Sequence, residues 1–315
     1  MSFLEHDPSV PRTMPDEIST HDHHYIPKFY LKGFTDDRGM LYVYDKQSGR
    51  IRSTAPAGAF YEKHGNTGFI QHPETGEKHW TDLAEHLMAR LDSSLADCLQ
   101  IIKETDATIN AMASPLVVEA VKQLIHFLFW RTPVNKARLD ELLATMSFSD
   151  LGFGIFDENG KRFINTEKLM TTIDLWRKCS PALIATARSF STYKENNISD
   201  WGIYYQAKNH YLVTDSPILL KSYSGPGSLE RGLLFPLTGN MLAIACGGKK
   251  KERVDPMYRE QLDIVLFQQA DRYVGSSKRE YLLHIIDKVR YYSEDGEGWE
   301  AKLREHVLQA YLAGE

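Results

Sequence analysis

From Leu83 to Trp130 the sequence carries two long stretches whose apolar residues return every three or four positions, and no other feature restricts the fold as strongly. Leu83, Leu87, Leu91, Leu95, Leu99 and Ile102 form one stripe, the spacing of a single amphipathic helix with Thr81 or Asp82 as its cap. Its Glu85 lies off the stripe and reads as a solvated carboxylate. Ser114 then precedes Pro115, and Val117, Val121, Leu124 and Leu128 lead to Trp130. A proline in the first turn suits such a start, because its missing N–H has no partner there. One further helical step lands on Arg131. A guanidinium on the buried side of a helix needs an acceptor, since an unpaired charge is strongly disfavoured away from water. Pro133 kinks or stops the helix, and a further helical stretch is expected around Leu139, Leu142, Leu143 and Met146.

Later helices are marked in the same way. Leu169, Ile173 and Trp176 predict one, and Ser180-Pro181 predicts a restart into another through Ile184, Ala187 and Phe190. Asp255-Pro256 opens a helix through Leu262 and Val265, and Ser277 with Glu280 offers a capping box for one through Leu282, Ile285 and Val289. Trp299, Leu303, Val307 and Tyr311 mark the last.

Strand texture brackets these helices. Pro27 and Gly33 bound a short helix, and Leu41–Asp45 followed by Lys46-Gln47-Ser48-Gly49 and Arg50-Ile51-Arg52 reads as a hairpin. Residues 55–78, rich in Gly, His and Pro, predict a loop or an irregular second hairpin. Trp201–Tyr205 and Tyr211–Thr214 predict a hairpin, and Leu233–Leu237 with Met241–Ala245 a second pair in which Pro236 marks an edge or a bulge. The expected class is α+β: a helix-rich core with short antiparallel hairpins near the N-terminus and in the 201–246 region. Residues 1–22, with Pro8, Pro11 and Pro15 and no period, read as a flexible arm. Residues 23–315 read as a single α+β domain, with a division into two lobes, 23–195 and 196–315, left open.

A chain of 315 residues, 42% of them hydrophobic, can bury a large core. It contains no run of about 18 apolar residues and begins with polar residues, so neither a membrane span nor a secretory signal is expected. The expected address is the cytoplasm. Cys98, Cys179 and Cys246 are widely spaced within apolar patterns, which favours core packing over a disulfide framework or a zinc knuckle. A net charge of -5 argues against general coating of phosphate backbones while permitting a local basic patch. No Gly-Lys-Ser/Thr phosphate loop and no Gly-x-Ser-x-Gly elbow occurs.

Polar groups interrupt the apolar patterns at His23-His24-Tyr25-Ile26-Pro27, Arg131-Thr132-Pro133 and Thr214-Asp215-Ser216-Pro217. His24, Arg131 and Asp215 are the candidate catalytic residues of an intracellular hydrolase, such as a nuclease or nucleotide phosphoesterase. The imidazole would move a proton, the carboxylate would orient it or hold a metal, and the guanidinium would take the charge on phosphate oxygens. His23, Lys249, Lys250 and Arg272 are candidate binding residues for a nucleotide or nucleic-acid substrate. A divalent metal is compatible with this set, since eight of the twelve histidines precede Leu87. No pair, however, has helix-spaced His-Glu-x-x-His form. The alternative is a non-catalytic sensor or interaction module. His24 would then serve the start of a helix, Asp215 would bond the backbone of its own turn, and Arg131 would be a paired core-edge residue.

The succession His24–Leu31, Phe34, Leu41–Asp45, Arg131-Thr132-Pro133, Thr214-Asp215-Ser216-Pro217, Phe235-Pro236-Leu237 and Ala270-Asp271-Arg272-Tyr273 resembles an uncharacterised bacterial family, domain of unknown function 4238. The resemblance spans most of the chain after His23. That family usually carries Ser-Asp-Asn-Pro at the place of Thr214–Pro217, so the Asp is kept while a hydroxyl replaces the neighbouring amide. The resemblance implies one continuous domain and brings no activity with it.

Overall fold

A computed structural model describes residues 22–71, 78–104, 114–152, 173–192, 200–205, 211–246, 256–294 and 296–312. The arm expected over 1–22 therefore lies outside the described residues except for Asp22, which opens a short strand, β1 (Asp22–His24). A one-turn helix, α1 (Lys28–Leu31), runs into a 3₁₀ turn at Lys32–Phe34. Gly33 does not act as a left-handed cap. It is small because the far hairpin passes close by: a β-carbon there would lie 3.1 Å from Thr238 Cγ2, and the Gly33 carbonyl accepts the Gly239 N–H at 2.9 Å.

The first hairpin is as expected, with β2 (Leu41–Asp45) against β3 (Arg50–Thr54) and Gly49 at φ +68° in the turn. After it, β4 (Tyr61–Lys63) pairs with β1, and β5 (Gly68–Gln71) pairs with β6 (Lys78–Thr81). Thr81 Oγ1 then accepts the Leu83 N–H at 3.1 Å, capping α2 (Leu83–Glu104), whose stripe of Leu91, Leu95, Leu99 and Ile102 is buried.

Every residue of α3 (Pro115–Arg131) from Leu124 onward is buried. That half of the helix is enclosed on all sides, as expected at the centre of a core, and α2 packs on α3. A 3₁₀ turn at Pro133–Asn135 leads to α4 (Lys136–Leu143). The break expected at Ser180-Pro181 does not occur, because both residues lie inside one helix, α5 (Ile173–Thr192). Proline forfeits one ladder bond. The extensive packing of α5 along α3 offsets that loss, and Ser180 Oγ donates to Trp176 O at 2.5 Å.

The remaining elements are β7 (Trp201–Tyr205), β8 (Val213–Thr214), β9 (Leu219–Leu220), β10 (Leu233–Thr238), β11 (Met241–Ala245), α6 (Pro256–Gln269), β12 (Tyr273–Ser276), α7 (Arg279–Ser293) and α8 (Trp299–Leu312). They build two four-stranded antiparallel sheets, β7-β11-β10-β9 and β3-β2-β12-β8. The hairpin expected from 201–214 is absent: β7 pairs with β11 and β8 with β12. All residues of β10 and β11 are buried, so β11 needs a second neighbour to satisfy its backbone, and β7 supplies it. Pro236 sits at a bulge, where the register shifts before Thr238, and its carbonyl accepts the Tyr30 hydroxyl at 2.5 Å. Ser277 does not cap α7; Lys278 precedes it, with its N–H on Ser276 Oγ.

The class is α+β. One hydrophobic cluster draws on residues from Tyr25 to Leu312, and a smaller one gathers Ala84, Phe148, Leu175 and Cys179. The three cysteines are free thiols, and burial pushes that of Cys179 up to about 12. Among the described residues, no helix is long and apolar enough to cross a membrane.

Candidate functional site

Asp215 follows β8 directly and is 3% exposed. Its Oδ1 accepts the Asp271 N–H at 2.9 Å, and its Oδ2 accepts the N–H groups of Arg272 and Tyr273, each at 2.7 Å. Burial pushes its pKa up while these donors pull it down. The carboxylate thereby fixes the chain where it enters β12. Arg272 turns outward from this clamp, pairs with Asp45 at 3.1 Å and lies 4.7 Å from the Tyr273 ring centre. Next to Asp45, Lys46 Nζ reaches the carbonyls ending α6, at 3.1 Å from Phe267 O and 2.5 Å from Ala270 O.

Arg131 is the last residue of α3, and its side chain is 3% exposed. Its acceptor comes from α2: Nη1 donates to Asp92 Oδ1 at 2.9 Å, and the guanidinium lies 4.8 Å from the Phe127 ring centre. Its Nε meets no acceptor among the described residues. Burial raises the Asp92 pKa, with Arg131 opposing the rise. The helix end is closed by the two following polar residues, as Thr132 Oγ1 and Asn135 Nδ2 both donate to Phe129 O, at 3.1 and 2.9 Å.

His24 Nε2 lies 3.1 Å from Ala57 O, a contact that requires the proton on Nε2. Burial first, then Lys28 and Arg131, hold its pKa down despite the Ala57 carbonyl, so the ring is neutral at pH 7. His23 Nδ1 instead accepts the Asn66 N–H at 2.7 Å, and Asn66 Nδ2 donates to Glu85 Oε2 at 2.7 Å. Glu85 therefore holds a loop in place, a role that its position off the apolar stripe of α2 did not signal.

The three polar segments meet at a corner between two clefts. One, of about 200 Å³, is lined by His23, Asn66, Arg131, Lys136, Arg177 and Lys178, among others. The second, of about 180 Å³, is lined by Tyr61, Asp215, Asp271, Arg272 and Tyr273. Tyr25, Glu62 and Pro133 line both. His24 lines neither, and the heads of His24, Arg131 and Asp215 each answer to a different partner. In the first cleft Arg177 pairs with Asp140 at 2.5 Å, while Lys178 pairs with Asp174 at 3.0 Å and also donates to Thr67 O. No pattern in the sequence marked Lys136, Arg177 or Lys178. Lys249 and Lys250 lie outside the described residues. Among those described, no three His, Cys, Asp or Glu side chains are grouped as metal ligands.

The family model described as Protein of unknown function (DUF4238) matches residues 22–280. The chain belongs to this family. The DUF4238 match begins at β1 and ends in the first turn of α7, so it contains all three polar segments and both clefts, and leaves α8 beyond it. No curated protein and no solved structure matches the chain.

Proposed function

We propose that this DUF4238 protein is a non-catalytic recognition module in a cytoplasmic setting, in which His24, Arg131 and Asp215 hold the walls of a binding surface. Asp215 carries the reading. Its oxygens accept three main-chain N–H groups, which ties the carboxylate to the start of β12 and leaves at most one lone pair for an imidazole or a metal. The other two residues fit the same role. A general base must reach the proton it takes, and His24, held through Nε2 by Ala57 O, lines neither cleft. Arg131 is engaged by Asp92.

The hydrolase reading, a nuclease or nucleotide phosphoesterase of a defence or conflict system, has one observation in its favour. His23 and Arg131 line a cleft together with Lys136, Arg177 and Lys178, a cationic set suited to phosphate oxygens. The two readings separate on turnover. Purified protein is assayed on a phosphodiester and on a nucleoside triphosphate with Mg²⁺ or Mn²⁺, beside His23→Ala, His24→Ala and Asp215→Asn. The expected result is no turnover by the unmodified chain and a lowered Tm in Asp215→Asn. Turnover that disappears in a folded His23→Ala or His24→Ala protein would overturn the recognition reading.

A further inference from the structure

A third cleft, of about 280 Å³, opens on the other side of the corner formed by Thr132 and Val134, and Ser216 and Pro217 of the Asp215 segment line it. Two arginines from distant elements enter it, Arg138 of α4 and Arg304 of α8, and none of its lining residues is Asp or Glu. Arg304 donates to Gln269 Oε1 at 3.0 Å and to Leu220 O at 2.5 Å. Arg138 donates to Asn135 Oδ1 at 2.6 Å and lies 5.0 Å from the Tyr223 ring centre. Every one of these acceptors is neutral. A guanidinium carries five N–H donors, so most donors on both arginines have no protein acceptor among the described residues. Glu141 acts on the Tyr223 hydroxyl but forms no ion pair with either arginine there.

The frame around the two charges is already fixed. Gln269 Nε2 donates to Ser216 O at 2.7 Å and Ile218 O at 2.8 Å, leaving its carbonyl for Arg304. Phe129 stacks on Tyr223 at 5.4 Å, and Arg138 packs over that pair. Burial and the neighbouring Arg138 charge both disfavour the Arg304 cation, and a bound anion would relieve both. Two guanidinium forks call for an anion with more than two oxygens and a charge near -2, which a phosphate provides and a single carboxylate does not. The volume suits a compact ligand, near the lower end of small-molecule sites.

We propose that this cleft binds a phosphate group, free or carried on a small ester, between Arg138 and Arg304. The proposal names a ligand class for the recognition reading and rests on that reading only for the ligand remaining intact. Titration calorimetry of the full chain with inorganic phosphate, AMP and adenosine tests it, with ³¹P NMR of the AMP sample. Phosphate or AMP is expected to bind and adenosine not to, tighter AMP binding marking an ester and phosphate alone marking the free ion. Arg138→Gln, on an exposed face of α4 and so compatible with folding, should weaken binding about tenfold or more. Arg304→Lys should do the same. Absence of phosphate and AMP binding at millimolar concentration, or affinity unchanged in both variants, would overturn the site. Release of phosphate from AMP would count against the recognition reading and leave the site standing.

Discussion

Asp215 and Tyr273 bind each other twice: the Asp215 N–H donates to Tyr273 O at 3.2 Å, and the Tyr273 N–H donates to Asp215 Oδ2 at 2.7 Å. The pair continues the β8–β12 ladder, in which Thr214 faces Val274, by one step in which a side chain replaces the main chain. Arg272, between the clamp and β2, ties the same corner to Asp45. The second cleft thus stands on a junction of three strands, β2, β12 and β8, pinned by polar bonds.

Asp215→Asn should destabilise the fold while changing its shape little. The amide has one acceptor oxygen, so its NH₂ must face at least one of the three N–H donors, at a cost of about 1–3 kcal/mol. Urea unfolding should show a lower midpoint with an unchanged slope. An unchanged midpoint would remove the clamp from the account.

Arg131→Ala strands Asp92 in the interior. Because 27% of the Asp92 side chain still reaches solvent, the loss is expected at about 3 kcal/mol, the lower end for a broken buried pair. Without Arg131 the Asp92 carboxyl rises further, the folded chain favours the proton more than the unfolded one, and the loss should be larger at pH 8 than at pH 5. Denaturation of the variant at both pH values measures it, and Arg131→Ala with Asp92→Asn should recover part of the loss at pH 8.

Asp263 should make stability fall as pH rises from about 4 to about 7. This fully buried carboxyl accepts the Tyr281 hydroxyl at 2.6 Å and the Leu212 N–H at 2.9 Å, and burial pushes its pKa from 3.8 up to about 7. Between those values the folded chain keeps a proton that the unfolded chain has released. Its contribution is therefore complete below about pH 4 and lost as pH rises through about 7, amounting to about 4 kcal/mol at most. Asp263→Asn should shrink the Tm difference between pH 5 and pH 8; an unaltered difference would assign the slope to other groups.

Gly275→Ala should cost about 1–3 kcal/mol by overpacking. The added carbon would lie 2.9 Å from Val213 Cγ1 and 3.1 Å from Leu41 Cδ2, between two buried side chains of neighbouring strands. Thermal melts should show partial recovery when Val213→Ala is added to the variant, and no recovery would locate the strain elsewhere.

Elements whose information lies within a few residues of each other are legible along the chain. The stripe of α2, the apolar run of α3 and the turns at Lys46–Gly49 and Thr238–Asn240 all lie where local periodicity and turn chemistry place them. The same local logic misread Ser180-Pro181 as a break and 201–214 as a hairpin, because packing along α3 and the demand of β11 for a second neighbour outweighed it. Sequence also stated what Arg131 and Asp215 need, an acceptor for one and donors for the other. Who supplies them was settled by packing: Asp92 from 39 residues away, and the backbone at Asp271 from 56. Those pairings, like the meeting of Arg138 with Arg304, exist because the packed core brings remote segments to one point, and a residue's local pattern records its own requirement without recording which distant partner meets it.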